Sequence, residues 1–162
     1  MSNTQFNKPT RRRRRKTADI EHQIQVSQVA WTEWQGIIWP ELQSIYAVPN
    51  QGKRSVQGYG RMKDEGLKTG QWDLCLPVPR RGHGALYIEN KIPDNPKSKL
   101  SPHQIKRGKI LSDAGNLCYV IRSYEDFVTL VTWYLGYEDP MHPVIFSQGE
   151  LWEYEIGAEL PY

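Results

Sequence analysis

Cysteine is scarce in this sequence. The two present, Cys75 and Cys118, lie far apart inside the apolar runs WDLCLPV and NLCYVI, so no pair stands at zinc-ligand spacing. Both are expected as buried, reduced thiols, and neither has a neighbouring base to make it a nucleophile. Long apolar runs are missing too: none approaches the roughly 18 residues of a membrane span. The N-terminus lacks the apolar core of a signal peptide, so the expected location is the cytoplasm, with no membrane partner. There are no internal repeats and no base-reading motif. His83, in RGHG, has no second His or Cys at ligand spacing and reads as a loop residue.

What is present suits one domain. A chain of 162 residues can build one substantial core, and 38% hydrophobic with 24% charged residues is the balance of a soluble globular protein. Six Trp and nine Tyr supply either a core or surfaces on which bases stack. The net charge of +3 is unevenly spread. RRRRRK, Arg11 to Lys16, carries six positive charges and leaves the rest of the chain at −3. Residues 1–16 are therefore expected as a flexible basic arm, with Arg11, Arg12, Arg13, Arg14 and Arg15 drawn to nucleic-acid phosphates. That attraction serves any polyanion and implies no chemistry.

From Thr17, helical spacing of Ile20, Ile24, Ser27, Trp31 and Trp34 predicts a first helix, with Thr17 or Asp19 as cap. Glu21, Gln25 and Gln28 form a polar stripe at the edge of that apolar face. A short strand is expected over 44–50, a helix over about 55–65 stopped by Gly66, and a strand in DLCLPV. The RRGHG loop joins that strand to ALYIENKI, so the two are read as a hairpin or as neighbours. Ser101, Pro102 and Gly115 mark the start and stop of another helix. LCYVIRS reads as a buried strand, and Ser123 to Gly136 as a last helix with Phe127, Leu130, Val131 and Tyr134 on its apolar face. Residues 137–162, rich in proline and aromatics, read as a C-terminal extension. The fold class is α/β: a mixed sheet flanked by helices.

The strand GALYIENKIP carries the chemistry. Alternation puts Glu89 and Lys91 on one face and Leu86, Ile88 and Asn90 on the other. A carboxylate and an ammonium on a buried face require each other, a metal or an anion. Asp73 opens the neighbouring strand, so Asp73 and Glu89 can converge on one cation. Hard oxygen ligands suit Mg²⁺ or Mn²⁺, and Lys91 beside them can steer an attacking water or offset charge on a phosphate.

Several ordered motifs then carry a resemblance: VPNQGKR, RMKDEGLKTGQWDLCLP, GHGALYIENKIP, KLSPHQ and LSDAGNLCYVIRSYEDF. From about Glu21 to Leu135 the chain resembles the VRR-NUC (virus-type replication-repair nuclease) domain of the PD-(D/E)XK superfamily, in its stand-alone, phage-type form. The resemblance implies a restriction-endonuclease-like core over 17–136 and metal-dependent cleavage of DNA phosphodiesters in replication, recombination or repair. It implies Asp73 and Glu89 as metal ligands, the Asn90 backbone carbonyl as a further one, and Lys91 as the catalytic lysine. Glu21 matches the helical glutamate that supports the metal directly or through water, and Gln104 a glutamine close to the site. It also implies a homodimer acting on junction or otherwise structured DNA, in the host cytoplasm if phage-encoded. The sequence departs twice: Trp72 stands where a proline usually precedes the aspartate, and Asn90 replaces an apolar residue.

Lys53 and Arg54, after Asn50, are candidate phosphate contacts. Two other readings stand beside the nuclease: a non-catalytic DNA-binding module on a nuclease-like fold, and an assembly protein docking a partner through residues 137–162. Clustered carboxylates facing phosphates argue against a pure binder.

Overall fold

The structure, a computed structural model, describes residues 11–48, 64, 66–92 and 98–137. In chain order it has helix α1 (Arg11–Gln35), a 3-10 turn (Pro40–Ser44), strands β1 (Tyr46–Ala47), β2 (Leu74–Leu76) and β3 (Leu86–Asn90), helix α2 (Pro102–Asp113), strand β4 (Leu117–Ile121) and helix α3 (Tyr124–Leu135). The expected helix over 55–65 lies outside the described residues apart from Asp64, which is helical. The extension after Tyr137 lies outside them as well.

One mixed sheet runs β1-β2-β3-β4. β2 and β3 are antiparallel, with Leu74 opposite Ile88 and Leu76 opposite Leu86. Arg80 and His83 exchange backbone hydrogen bonds of 3.1 and 2.8 Å across their two-residue turn, so RRGHG closes a hairpin. β3 and β4 are parallel, with Glu89 opposite Val120, and α2 provides the crossover such a pair requires.

Both faces of the sheet are covered, which is why β4 is apolar throughout. On one face Leu74, Leu76, Leu86, Ile88, Leu117, Tyr119 and Ile121 meet Phe127, Leu130, Val131 and Tyr134 of α3, with Val29 and Trp31 of α1 against them. On the other, Trp72, Leu100, Cys118 and Val120 pack with Tyr87, Ile105 and Leu111 under α2. Both cysteines are buried and reduced. Ser123 caps α3 and Gly136 ends it, as the sequence predicts.

Two expectations are corrected. Helix α1 starts at Arg11 instead of Thr17, so Arg11 to Lys16 continue the helix, and Thr17 and Asp19, expected as caps, lie inside it. Arginine and lysine are good helix formers, and adding turns to an existing helix avoids the cost of nucleation. The inward face of α1 is also rotated from the predicted one. Trp34 is 80% exposed and Ile20 is exposed, whereas Gln28 and Thr32 are fully buried. The polar stripe placed at the edge of the apolar face is its centre, because α1 lies over the end of the sheet that carries Glu89 to Lys91. Tyr137 stacks on Trp39 at 4.4 Å and donates a hydrogen bond to Glu41.

Candidate active site

Asp73 stands one residue before β2, where its Oδ2 accepts the backbone N–H of Asn90 at 2.8 Å. That bond ties the two carboxylate-bearing strands together at one end of the hairpin. Glu89 and Lys91 follow the alternation, facing α2, and are 2% and 8% exposed. Lys91 Nζ donates to Glu89 Oε1 at 2.8 Å and to Gln104 Oε1 at 3.3 Å. Gln104 Nε2 closes the triangle by donating to Glu89 Oε1.

Gln104 is held by its own helix end. Ser101 Oγ accepts from Gln104 N at 3.3 Å, and Gln104 Oε1 accepts from Ser101 N at 2.8 Å, which together make a capping box. Trp72 Nε1 donates to the Gln104 carbonyl at 3.1 Å. Trp72 therefore fastens the residue before Asp73 to the first turn of α2. Ser101→Ala removes half of the box and is expected to lower stability by about 1 kcal/mol in urea unfolding.

Charge is crowded here. Burial, helped by the Asp73 carboxylate, pushes the Glu89 carboxyl up to about 8, even though the Lys91 ammonium pulls it down. Burial also raises Glu21, with Lys91 lowering it and Asp73 raising it further, so α1 brings Glu21 within electrostatic reach of both. The structure thus gathers Glu21, Asp73, Glu89, Lys91 and Gln104 into one neighbourhood. Lys53 and Arg54 lie outside the described residues. Arg11 to Arg15 occupy the same helix as Glu21, N-terminal to it. His83 sits at the hairpin turn, at the other end of β3.

The donor set fits a hard divalent cation. Glu89 Oε2 is buried and accepts no hydrogen bond, although Asp73 and Glu21 bring further carboxylates within electrostatic reach of it. Among the described residues no three Asp, Glu, His or Cys side chains converge into a ready-made cage. Two carboxylates completed by water, backbone and phosphate oxygens are how Mg²⁺ is commonly held.

Gln28, from the polar stripe of α1, and Ser101, the cap of α2, also belong to the surroundings of the site. Gln28 donates from Nε2 to Asn90 Oδ1 at 2.7 Å across the α1–β3 contact. Its signal was the seven-residue spacing from Glu21, two helical turns on the same side. For Ser101 the signal was S-x-x-Q itself.

The same fold occurs in a solved VRR_NUC domain protein, 22% identical, with a TM-score of 0.59, over 74% of this chain and 90% of that one. At that identity the likeness shows the fold, a mixed sheet between helices, in agreement with the architecture the motifs implied. No family model matches the sequence, and no curated protein matches it.

Proposed function

We propose that this protein is a Mg²⁺- or Mn²⁺-dependent deoxyribonuclease that hydrolyses phosphodiester bonds. The observation that carries the reading is the Glu89–Lys91–Gln104 triangle beside Asp73, in which Glu89 and Lys91 are buried and Glu89 Oε2 lacks a partner. A plain structural ion pair explains Glu89 and Lys91 but not Asp73, Glu21 or the unpartnered oxygen. A divalent ion held by Asp73 and Glu89, with the Asn90 carbonyl as a further ligand and Glu21 in support directly or through water, would polarise the phosphate and its attacking water.

The residues around it have separate tasks. Lys91 faces the reacting phosphate, steers the water and offsets charge that develops in the transition state. Gln104 holds the Lys91 ammonium and the Glu89 carboxylate in register, since its amide serves one as acceptor and the other as donor. Arg11 to Arg15, and Lys53 with Arg54, bind the DNA backbone non-specifically and raise affinity at low salt. Without a base-reading motif, recognition is by DNA shape, with junctions or flaps as substrates. A homodimer would present two such sites to a two-fold junction.

Labelled duplex, flap and four-way-junction DNA, incubated with Mg²⁺, Mn²⁺ or EDTA, test this directly. Cleavage is expected with metal and not with EDTA, and Lys91→Ala is expected to slow it by roughly 100-fold or more. Tight binding with no cleavage under either metal would leave a DNA-binding module with a nuclease-like fold.

A further inference from the structure

Asn90 is a junction between elements. Its backbone N–H holds Asp73, its chain neighbours are Glu89 and Lys91, and its side chain turns to the opposite face of the sheet to meet Gln28 of α1. Both amides are buried, Gln28 completely and Asn90 to 4% exposure. The pair is also incompletely satisfied: Gln28 Oε1 and Asn90 Nδ2 have no hydrogen-bond partner. Two buried amides sharing one bond are a poor way to fill a core, because each orphaned atom has given up its water without replacement. Leucine or methionine at the same positions would pack as well without that loss.

What the pair supplies is directional. Val29 and Trp31 also pack α1 against the core, but apolar contacts tolerate small slides and rotations. A 2.7 Å hydrogen bond between two fixed amides does not. Glu21 lies seven residues before Gln28, two turns along the same side of the helix. Any slip of α1 at Gln28 is therefore carried to Glu21, whose carboxylate lies within electrostatic reach of Asp73 and Lys91.

We propose that the Gln28–Asn90 amide pair is a positioning device that sets the register of α1 on β3 and so places Glu21 at the carboxylate site. It sacrifices stability for register. The metal-binding part of its test rests on the nuclease reading above; the register part does not.

The test compares wild type, the apolar pair Gln28→Met/Asn90→Leu, and the exchanged pair Gln28→Asn/Asn90→Gln, each with and without Glu21→Ala. Melting temperature and amide hydrogen exchange are measured in EDTA, and Mn²⁺ affinity by electron paramagnetic resonance. The apolar pair is expected to melt at or above the wild-type temperature, yet to exchange faster over residues 20–26 and to bind Mn²⁺ at least fivefold more weakly. Glu21→Ala should then cost little further affinity in the apolar background, while the exchanged pair should recover both exchange protection and affinity. Unchanged exchange over 20–26 in the apolar pair, or a full additional loss from Glu21→Ala, would overturn the proposal. If wild type bound no Mn²⁺, the metal reading would fail, and the exchange data in EDTA would still decide the register claim by the same criterion.

Discussion

In EDTA, the protein is expected to lose thermal stability as the pH rises from about 5 to about 8, and Glu89→Gln is expected to remove most of that slope. The Glu89 carboxyl is pushed up to about 8, by burial first and by Asp73 second. An ammonium 2.8 Å away would ordinarily hold a carboxyl ionised. Here the desolvation of a side chain only 3% exposed, among other carboxylates, outweighs it. Between the unfolded value of 4.5 and about 8, the folded protein therefore keeps a proton that the unfolded chain has released. Unfolding releases that proton, so rising pH favours it, by up to about 1.4 kcal/mol per pH unit. Glu21, raised in the same direction, adds to the slope.

A divalent cation should reverse the trend. On the proposed function it would bind the ionised carboxylate, so Mg²⁺ should raise the melting temperature most near pH 8. Below that pH its binding should release a proton, measurable by calorimetry in buffers of different ionisation enthalpy. Glu89→Gln should abolish both effects, and cleavage with them. A wild-type melting temperature that stays level from pH 5 to 8 would show that Lys91 keeps Glu89 ionised throughout.

Gly70→Ala is expected to be the most damaging single-methyl change in the described chain. Gly70 has φ +74°, and a Cβ there would stand 2.4 Å from the carbonyl carbon and oxygen of His103 and 2.8 Å from Gln104 N. Backbone, not a flexible side chain, occupies the space, so either the loop before Asp73 or the first turn of α2 must move. Either movement strains the Trp72–Gln104 bond and shifts Gln104 relative to Glu89 and Lys91. The expected loss is about 2 kcal/mol or more in chemical unfolding, with cleavage falling further than the folded fraction explains. Gly115→Ala is the control. Its φ of +82° is equally left-handed, but nothing lies within 4 Å of a Cβ there, so only backbone strain of about 1 kcal/mol is expected. Equal losses at the two positions would mean that the contact with α2 contributes nothing.

Much of the site was legible because its signals are local. Strand alternation put Glu89 and Lys91 together, and the short hairpin link put Asp73 beside them, as the Asn90–Asp73 bond shows. Ser-Pro-His-Gln announced a capped helix, and Ser123 with Gly136 framed another. The start of α1 is not legible, because six cations in a row read as a flexible basic arm, while their helix propensity and the adjoining helix extend it to Arg11. Its inward face was misjudged because Trp31 and Trp34 are equally apolar in sequence, and only one of them meets the sheet.

The residue order by itself determined strands β2 to β4, the closeness of β2 and β3, the caps of α2 and α3, and the shared face of Glu89 and Lys91. Each follows from rules that operate within a few residues: side-chain alternation, turn geometry and the unpaired groups at helix ends. Three features came only with packing: which side of α1 is buried, the pairing of Gln28 with Asn90 62 residues away, and the fastening of Trp72 to Gln104. They depend on where helices come to rest on the sheet, which is settled by shape and by the partners available to buried polar groups. The rise of Glu89 to about 8 belongs with them, because burial and neighbouring charge exist only once the chain has folded.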